Sequence, residues 1–109
     1  MKNLSFFLLF LLSSCTYNEL PISEITICET NSPSFSDCVL PIIEDNCMSC
    51  HSENGGQSPI LTSFQEIILA VANDDLLARI KNDMPPTNLM NSSDILIIEN
   101  WIDEGAQNN

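Results

Sequence analysis

The sequence predicts an all-α domain over residues 36–109. Apolar residues recur there at intervals of three and four, which is the period of helices with one buried side. Two stretches begin with a capping signal, a serine or asparagine followed three residues later by an acidic residue. No stretch alternates apolar and polar residues as a half-buried strand does. We therefore expect helices joined by short loops.

The first predicted helix covers about residues 37–46 and contains Pro41, which is tolerated only in the first turn, where a missing N–H leaves no partner unpaired. The second covers about residues 63–73 and begins with the capping box formed by Ser63 and Glu66. The predicted apolar sides are Val39, Leu40, Ile42 and Ile43 in the first helix and Phe64, Ile67, Ile68 and Val71 in the second.

The last third of the chain predicts two more helices. Asp74 begins a short one with Leu76, Leu77 and Ile80 on its apolar side, and Met84-Pro85-Pro86 ends it. Asn91, with Asp94 three residues later, caps the final helix, and Gly105 lies where a C-cap glycine belongs. The predicted core positions of this helix are Ile95, Ile98, Trp101 and Ile102.

Residues 1–14 have the form of a signal peptide, with a basic start and a short apolar run. The ending Leu-Ser-Ser-Cys resembles a bacterial lipobox, which predicts cleavage before Cys15 and acylation of its thiol. An ordinary signal peptide with a cysteine nearby is the alternative. Residues 15–35 lack a helical period and read as a flexible tether. We therefore expect an exported protein, anchored by lipid on the periplasmic side of a bacterial membrane.

The chain is strongly acidic, with three basic and fifteen acidic residues. Cleavage before Cys15 removes Lys2 and leaves a formal charge of −13. This charge excludes nucleic-acid binding through phosphate contacts, which needs Lys and Arg. It favours redox partner proteins that carry a basic docking patch, although acidity also keeps a secreted protein soluble.

Five cysteines in a short exported chain require an explanation. Cys15 is assigned to lipid, and Cys47 and Cys50 belong to the motif described next. Cys28 and Cys38 therefore remain. An oxidising compartment favours a disulfide between them over two separate thiols.

The motif with the most specific chemistry is Cys47-Met48-Ser49-Cys50-His51. In a Cys-x-x-Cys-His sequence the two thiols can form thioether bonds with one haem c, and the histidine supplies an axial nitrogen to its iron. The alternatives are a redox-active dithiol, which would need a βαβ setting, and part of a zinc site, which would need a fourth ligand from Cys28 or Cys38.

His51 is the only histidine, so the second axial ligand must be another residue or the position must be open. Met84, Met90 and Lys81 are the candidates. We favour Met84, because two following prolines hold its thioether on a stiff loop, whereas Met90 suits an apolar position before the last helix. We also expect Arg79 to lie near a haem propionate and the second nitrogen of His51 to donate to the Pro59 carbonyl.

Residues 36–106 resemble a class I cytochrome c domain of the short bacterial type. The matching segments are Val39-Leu40-Pro41-Ile42, the attachment motif, Met84-Pro85-Pro86, and Ile95-x-x-Ile98-x-x-Trp101-Ile102 before Gly105-Ala106. The resemblance implies that the helices wrap around the haem, that Trp101 packs where the first and last helices cross, and that Met84 is the distal ligand. The lysines with which many members dock their partners are missing from this chain.

A His/Met iron has no vacant position for a substrate, so the expected role is electron transfer and not catalysis. An open distal position would instead indicate a haem-based sensor or a weak peroxidase. Without haem, the chain would be a disulfide- or metal-stabilised binding module.

Overall fold

The computed structural model describes residues 25–109, with side chains from residue 27 onward. The predicted signal peptide, Cys15 and the first part of the tether lie outside the described residues. All regular structure within residues 25–109 is helical, which confirms the all-α prediction. The elements are α1 (Ile25–Cys28), a π-helical turn (Phe35–Val39) that continues into α2 (Leu40–Asn46), α3 (Phe64–Asn73), α4 (Leu76–Asn82) and α5 (Ser92–Asp103).

The first predicted helix begins earlier than expected and starts with a wide turn. Ser34 caps it by accepting a hydrogen bond from the Asp37 N–H at 3.1 Å. The Val39 N–H donates to the Ser34 carbonyl at 3.2 Å, five residues back. Pro41 then falls in the first turn of α2, as its missing donor requires.

Phe35 belongs to the packed domain, although the sequence placed the end of the tether at this residue. Its side chain is 5% exposed, and its ring lies 5.0 Å from that of Phe64 and 5.5 Å from that of Trp101. The tether prediction missed it because both partners are distant in sequence. The four-residue α1 also lies within the predicted tether, so residues 25–35 are not entirely irregular.

The predicted caps of α3 and α5 are both present. Ser63 and Glu66 form the reciprocal capping box of α3. Asn91 Oδ1 accepts from the Asp94 N–H at 2.8 Å at the start of α5. Gly105 follows α5 with a φ of +98°, a left-handed conformation that glycine adopts without a steric penalty.

The buried sides of α3 and α5 differ slightly from the predicted ones. Ala70 is fully buried with Ile67 in α3, and Ile97 is buried in α5, whereas the predicted core residues Ile95 and Ile102 are only partly buried. Each helix is therefore rotated a little relative to its simplest apolar stripe. The rotation turns Ala70 towards a cavity beside α4.

Contacts between distant segments join the helices into one unit. The Phe35 N–H donates to Asn109 Oδ1 at 2.9 Å, so the last described residues lie against the start of the first helix. Lys81 Nζ pairs with Glu99 Oε1 at 2.6 Å and joins α4 to α5. Cys28 and Cys38 form a disulfide with their Cα atoms 5.4 Å apart, which is the pairing that the sequence favoured.

None of the described helices is long and apolar enough to cross a membrane.

Candidate functional site

A cavity of about 530 Å³ lies between the end of α2, the loop that follows it, α3, α4 and the segment after α4. Its volume falls within the range of pockets that hold small molecules and cofactors. Cys47, Cys50, His51, Arg79 and Met84 all line it. The five residues that the sequence assigned to cofactor and metal binding are therefore gathered around one cavity.

The attachment motif is wound into a tight turn at the end of α2. The Cys47 carbonyl accepts hydrogen bonds from the Cys50 N–H at 3.2 Å and the His51 N–H at 2.8 Å. The Cys47 N–H continues the helix by donating to the Ile43 carbonyl at 2.9 Å. This turn brings both thiols and the imidazole to the same cavity.

The two thiols of the motif have different surroundings. Cys47 is 8% exposed, and burial raises the pKa of its thiol to about 11. Cys50 is exposed at the surface of the turn. A reactive dithiol usually depends on a cysteine whose pKa is lowered by a positive neighbour or a helix N-terminus. The environment of Cys47 is of the opposite kind, which disfavours the thioredoxin-like alternative.

His51 is held in one orientation by the loop that returns from the cavity. Its Nδ1 lies 2.7 Å from the Pro59 carbonyl oxygen, as the sequence predicted. A carbonyl oxygen only accepts, so Nδ1 carries the hydrogen and Nε2 keeps its lone pair in the neutral ring. The His51 carbonyl accepts from the Leu61 N–H at 2.8 Å. Ring and backbone are thus both tied to the same loop.

The three candidate distal ligands occupy different environments. Met84 is partly buried and lines the cavity, and its N–H ends α4 by donating to the Arg79 carbonyl at 2.9 Å. Met90 is 7% exposed within the hydrophobic core and does not line the cavity. Lys81 lines a separate groove and is paired with Glu99. Among these three residues, only Met84 has access to the cavity that contains His51.

Arg79 lies at the same cavity and is exposed. Its Nε pairs with Asp83 Oδ1 at 3.0 Å, and Asp83 directly follows the last residue of α4. Its guanidinium places a positive charge at the cavity, where it would attract an anion. Contact with a haem propionate remains a prediction.

Apolar side chains from three segments form much of the cavity wall. Leu76 and Ile80 come from α4, Ala70 from α3 and Leu61 from the loop before α3. All four are buried. Periodicity indicated the two α4 residues, but it missed Leu61, which lies outside any helix, and Ala70, whose small side chain gives a weak apolar signal.

The zinc alternative finds no support in the described part of the chain. Cys28 and Cys38 are joined to each other, so neither offers a thiolate to complete a set with the motif residues. Within residues 25–109, no three His, Cys, Asp or Glu side chains are grouped closely enough to hold a metal ion.

Comparison with known proteins adds no identification. No family model, no curated protein and no solved structure matches this chain. The interpretation of the site therefore depends on its own residues and geometry.

Proposed function

We propose that this protein is a monohaem c-type cytochrome that carries single electrons between redox partners. In this proposal Cys47 and Cys50 would hold the haem covalently, while His51 and Met84 would be the two protein ligands of its iron. The observation that carries it is the shared cavity: two thiols, an imidazole and a thioether, drawn from two distant segments, line the same space.

The residues around the cavity suit a haem in both chemistry and polarity. Haem attachment requires two thiols at this spacing and an adjacent histidine, and the turn at the end of α2 supplies all three. The apolar wall formed by Leu61, Ala70, Leu76 and Ile80 suits the face of a macrocycle. Arg79 provides a positive group at the same cavity, where it would oppose the negative propionates.

The protein's own contribution would be to fix the ligands and restrict access to the metal. A bound haem supplies one-electron chemistry at its iron. The Pro59 carbonyl holds the His51 ring in one tautomer and orientation, which also raises the basicity of Nε2. Met84 would be the second protein ligand of the iron and would keep substrates away, so the protein would transfer electrons without catalysing a reaction of its own.

Covalent attachment is tested by producing the full chain in cells that have a cytochrome c maturation system. After acid–acetone extraction, the pigment should remain with the polypeptide. Cys47→Ser with Cys50→Ser should release it or prevent its incorporation. Cys28→Ser is the matched control, because it removes a cysteine outside the cavity and should keep the haem. Haem found in the organic phase for the wild type would contradict the proposal.

We further propose that the mature chain begins at an acylated Cys15 and is held on the periplasmic face of a membrane. This residue lies outside the described part of the structure, and the proposal depends on the lipobox. The wild type should fractionate with membranes and show a lipid-modified N-terminus by intact mass, whereas Cys15→Ala should become soluble. An unmodified, soluble wild-type protein would contradict the anchor.

The charge of the chain supports partners with a basic docking patch. The two cations among residues 25–109, Arg79 and Lys81, are both paired with carboxylates of the protein itself. The remaining carboxylates leave a negative field that would attract a basic partner. Electron transfer to such a partner should therefore slow as salt concentration rises, because salt screens exposed charges. A rate that does not depend on salt would count against this partner class.

A further inference from the structure

We propose that Gly55 is a positioning residue for the axial histidine. Its missing side chain lets the loop after the attachment turn lie directly against that turn, and this loop holds both the ring and the backbone of His51. The inference rests on the proposed haem site. It assigns a role to Gly55, which does not itself line the cavity.

The space beside Gly55 is too small for any side chain. A Cβ atom built at this position would lie 2.6 Å from the Ser49 carbonyl oxygen and would overlap the Cys50 carbonyl oxygen more severely. Both obstacles are backbone atoms of the attachment turn, so they cannot move aside as the end of a flexible side chain would. An alanine here must push the loop and the turn apart.

Hydrogen bonds show how closely the loop is folded against the turn. The Gly55 N–H donates to Ser52 Oγ at 3.1 Å, and the Gly56 N–H donates to the Ser52 carbonyl at 2.9 Å. The Gln57 N–H then donates to the Cys50 carbonyl at 3.0 Å. The Cys50 carbonyl therefore lies directly against Gly55 and also accepts the hydrogen bond that anchors the loop at Gln57.

The loop next reaches His51 through two contacts. The Pro59 carbonyl accepts from Nδ1 at 2.7 Å, and the Leu61 N–H donates to the His51 carbonyl at 2.8 Å. Displacing the loop at Gly55 would move the Pro59 carbonyl relative to the ring. Such an acceptor sets the ring orientation and ligand basicity of a metal-binding histidine, so the electronic properties of the iron should respond.

The adjacent glycine provides a matched control. Gly56 has a φ of +74°, but a Cβ atom there would meet no atom within 4 Å. Gly56→Ala would therefore strain the local backbone without separating the loop from the attachment turn. Both variants should be less stable than the wild type, but only Gly55→Ala should disturb His51.

The test compares haem-loaded full-length wild type, Gly55→Ala and Gly56→Ala by electron paramagnetic resonance of the oxidised form, reduction potential and thermal unfolding. We expect shifted g values and a shifted potential in Gly55→Ala. Gly56→Ala should keep the wild-type values while unfolding at a lower temperature. A Gly55→Ala protein with wild-type g values and potential would overturn the inference.

If the Gly55→Ala protein does not accumulate in cells, Ser52→Ala is the second variant with which the inference is tested. It removes the hydroxyl that accepts from the Gly55 N–H and adds no atom to the crowded space. We expect a smaller shift of the g values and potential. Values identical to the wild type would overturn the inference. Failure of the haem proposal itself looks different, because the wild-type chain would then carry no covalent haem at all.

Discussion

Met84 and Met90 are six positions apart and have contrasting surroundings. Met84 lines the cavity, whereas Met90 is packed in the core. If Met84 ligates a haem iron as proposed, Met84→Ala should abolish a weak methionine-to-iron absorption band of the oxidised protein, lower the reduction potential and admit external ligands. Met90→Ala should leave the spectrum unchanged and instead destabilise the fold by about 2–5 kcal/mol, as truncations of buried side chains do. Visible spectra and denaturant titration of both variants measure these effects.

The reverse pattern would identify Met90 as the ligand and would contradict the assignment to the segment after α4. If neither substitution changed the spectrum, the iron would not be ligated by His and Met. The sensor or peroxidase alternative, with an open distal position, would then replace electron transfer.

Arg79 and Lys81 lie on the same helix and carry the same charge, but only Arg79 lines the cavity. In the proposed haem protein, Arg79→Gln should lower the reduction potential, because removing a positive charge beside the haem would favour the oxidised form. Lys81→Gln is the control for net charge and should change the potential much less. Potentiometric titration of both variants distinguishes them. Equal shifts would show that Arg79 acts only through the total charge and has no place beside a propionate.

Both hydrogen bonds of a capping box are present at the N-terminus of α3. Ser63 Oγ accepts from the Glu66 N–H at 3.3 Å, and Glu66 Oε2 accepts from the Ser63 N–H at 2.9 Å. Ser63→Ala should therefore lower the free energy of unfolding by about 1 kcal/mol. Chemical denaturation measures the loss. An unchanged free energy would mean that packing of Ile67 and Ala70 alone holds the start of α3.

The same cap makes the stability of α3 depend on pH. Hydrogen bonds from Thr62, and additional ones from Ser63, hold the pKa of the Glu66 carboxyl below its ordinary value. The unfolded chain has the ordinary value of about 4.3, so the stabilising effect is complete above that pH and is lost as pH falls through the lower folded pKa. Glu66→Gln should therefore lose less stability than the wild type between neutral pH and about pH 3. Glu44→Gln, an exposed position on α2, should behave as the wild type.

At the scale of the whole molecule, the disulfide between Cys28 and Cys38 is one covalent constraint, and the proposed haem attachment would be a second. A helical domain of this size buries little apolar surface and usually needs such a constraint. Cys28→Ser should lower the free energy of unfolding by about 3 kcal/mol, the loop-closure value for a bridge of this span, and should leave a buried thiol at Cys38. Reductant should lower the stability of the wild type to that of the variant, because both proteins then lack the bond between Cys28 and Cys38. A wild type insensitive to reductant would show that the bridge adds no stability.

The parts of this protein that the sequence determined by itself are local. The Ser63 and Asn91 caps and the end of α5 shortly before Gly105 each depend on residues within a few positions of one another, so their patterns can be read directly. The motif Cys47-Met48-Ser49-Cys50-His51 is local for the same reason. The orientation of His51 by Pro59 was also within reach of the sequence, because only eight residues separate them.

The tertiary structure alone decided which residues meet across the chain. Phe35 joins the core because it packs against Phe64 and Trp101, and no pattern near Phe35 indicates those partners. The cavity position of Met84 and the core position of Met90 likewise depend on how the helices pack together. Contacts between residues dozens of positions apart decide which side of each helix is buried. Caps and turns, by contrast, depend on residues only a few positions apart.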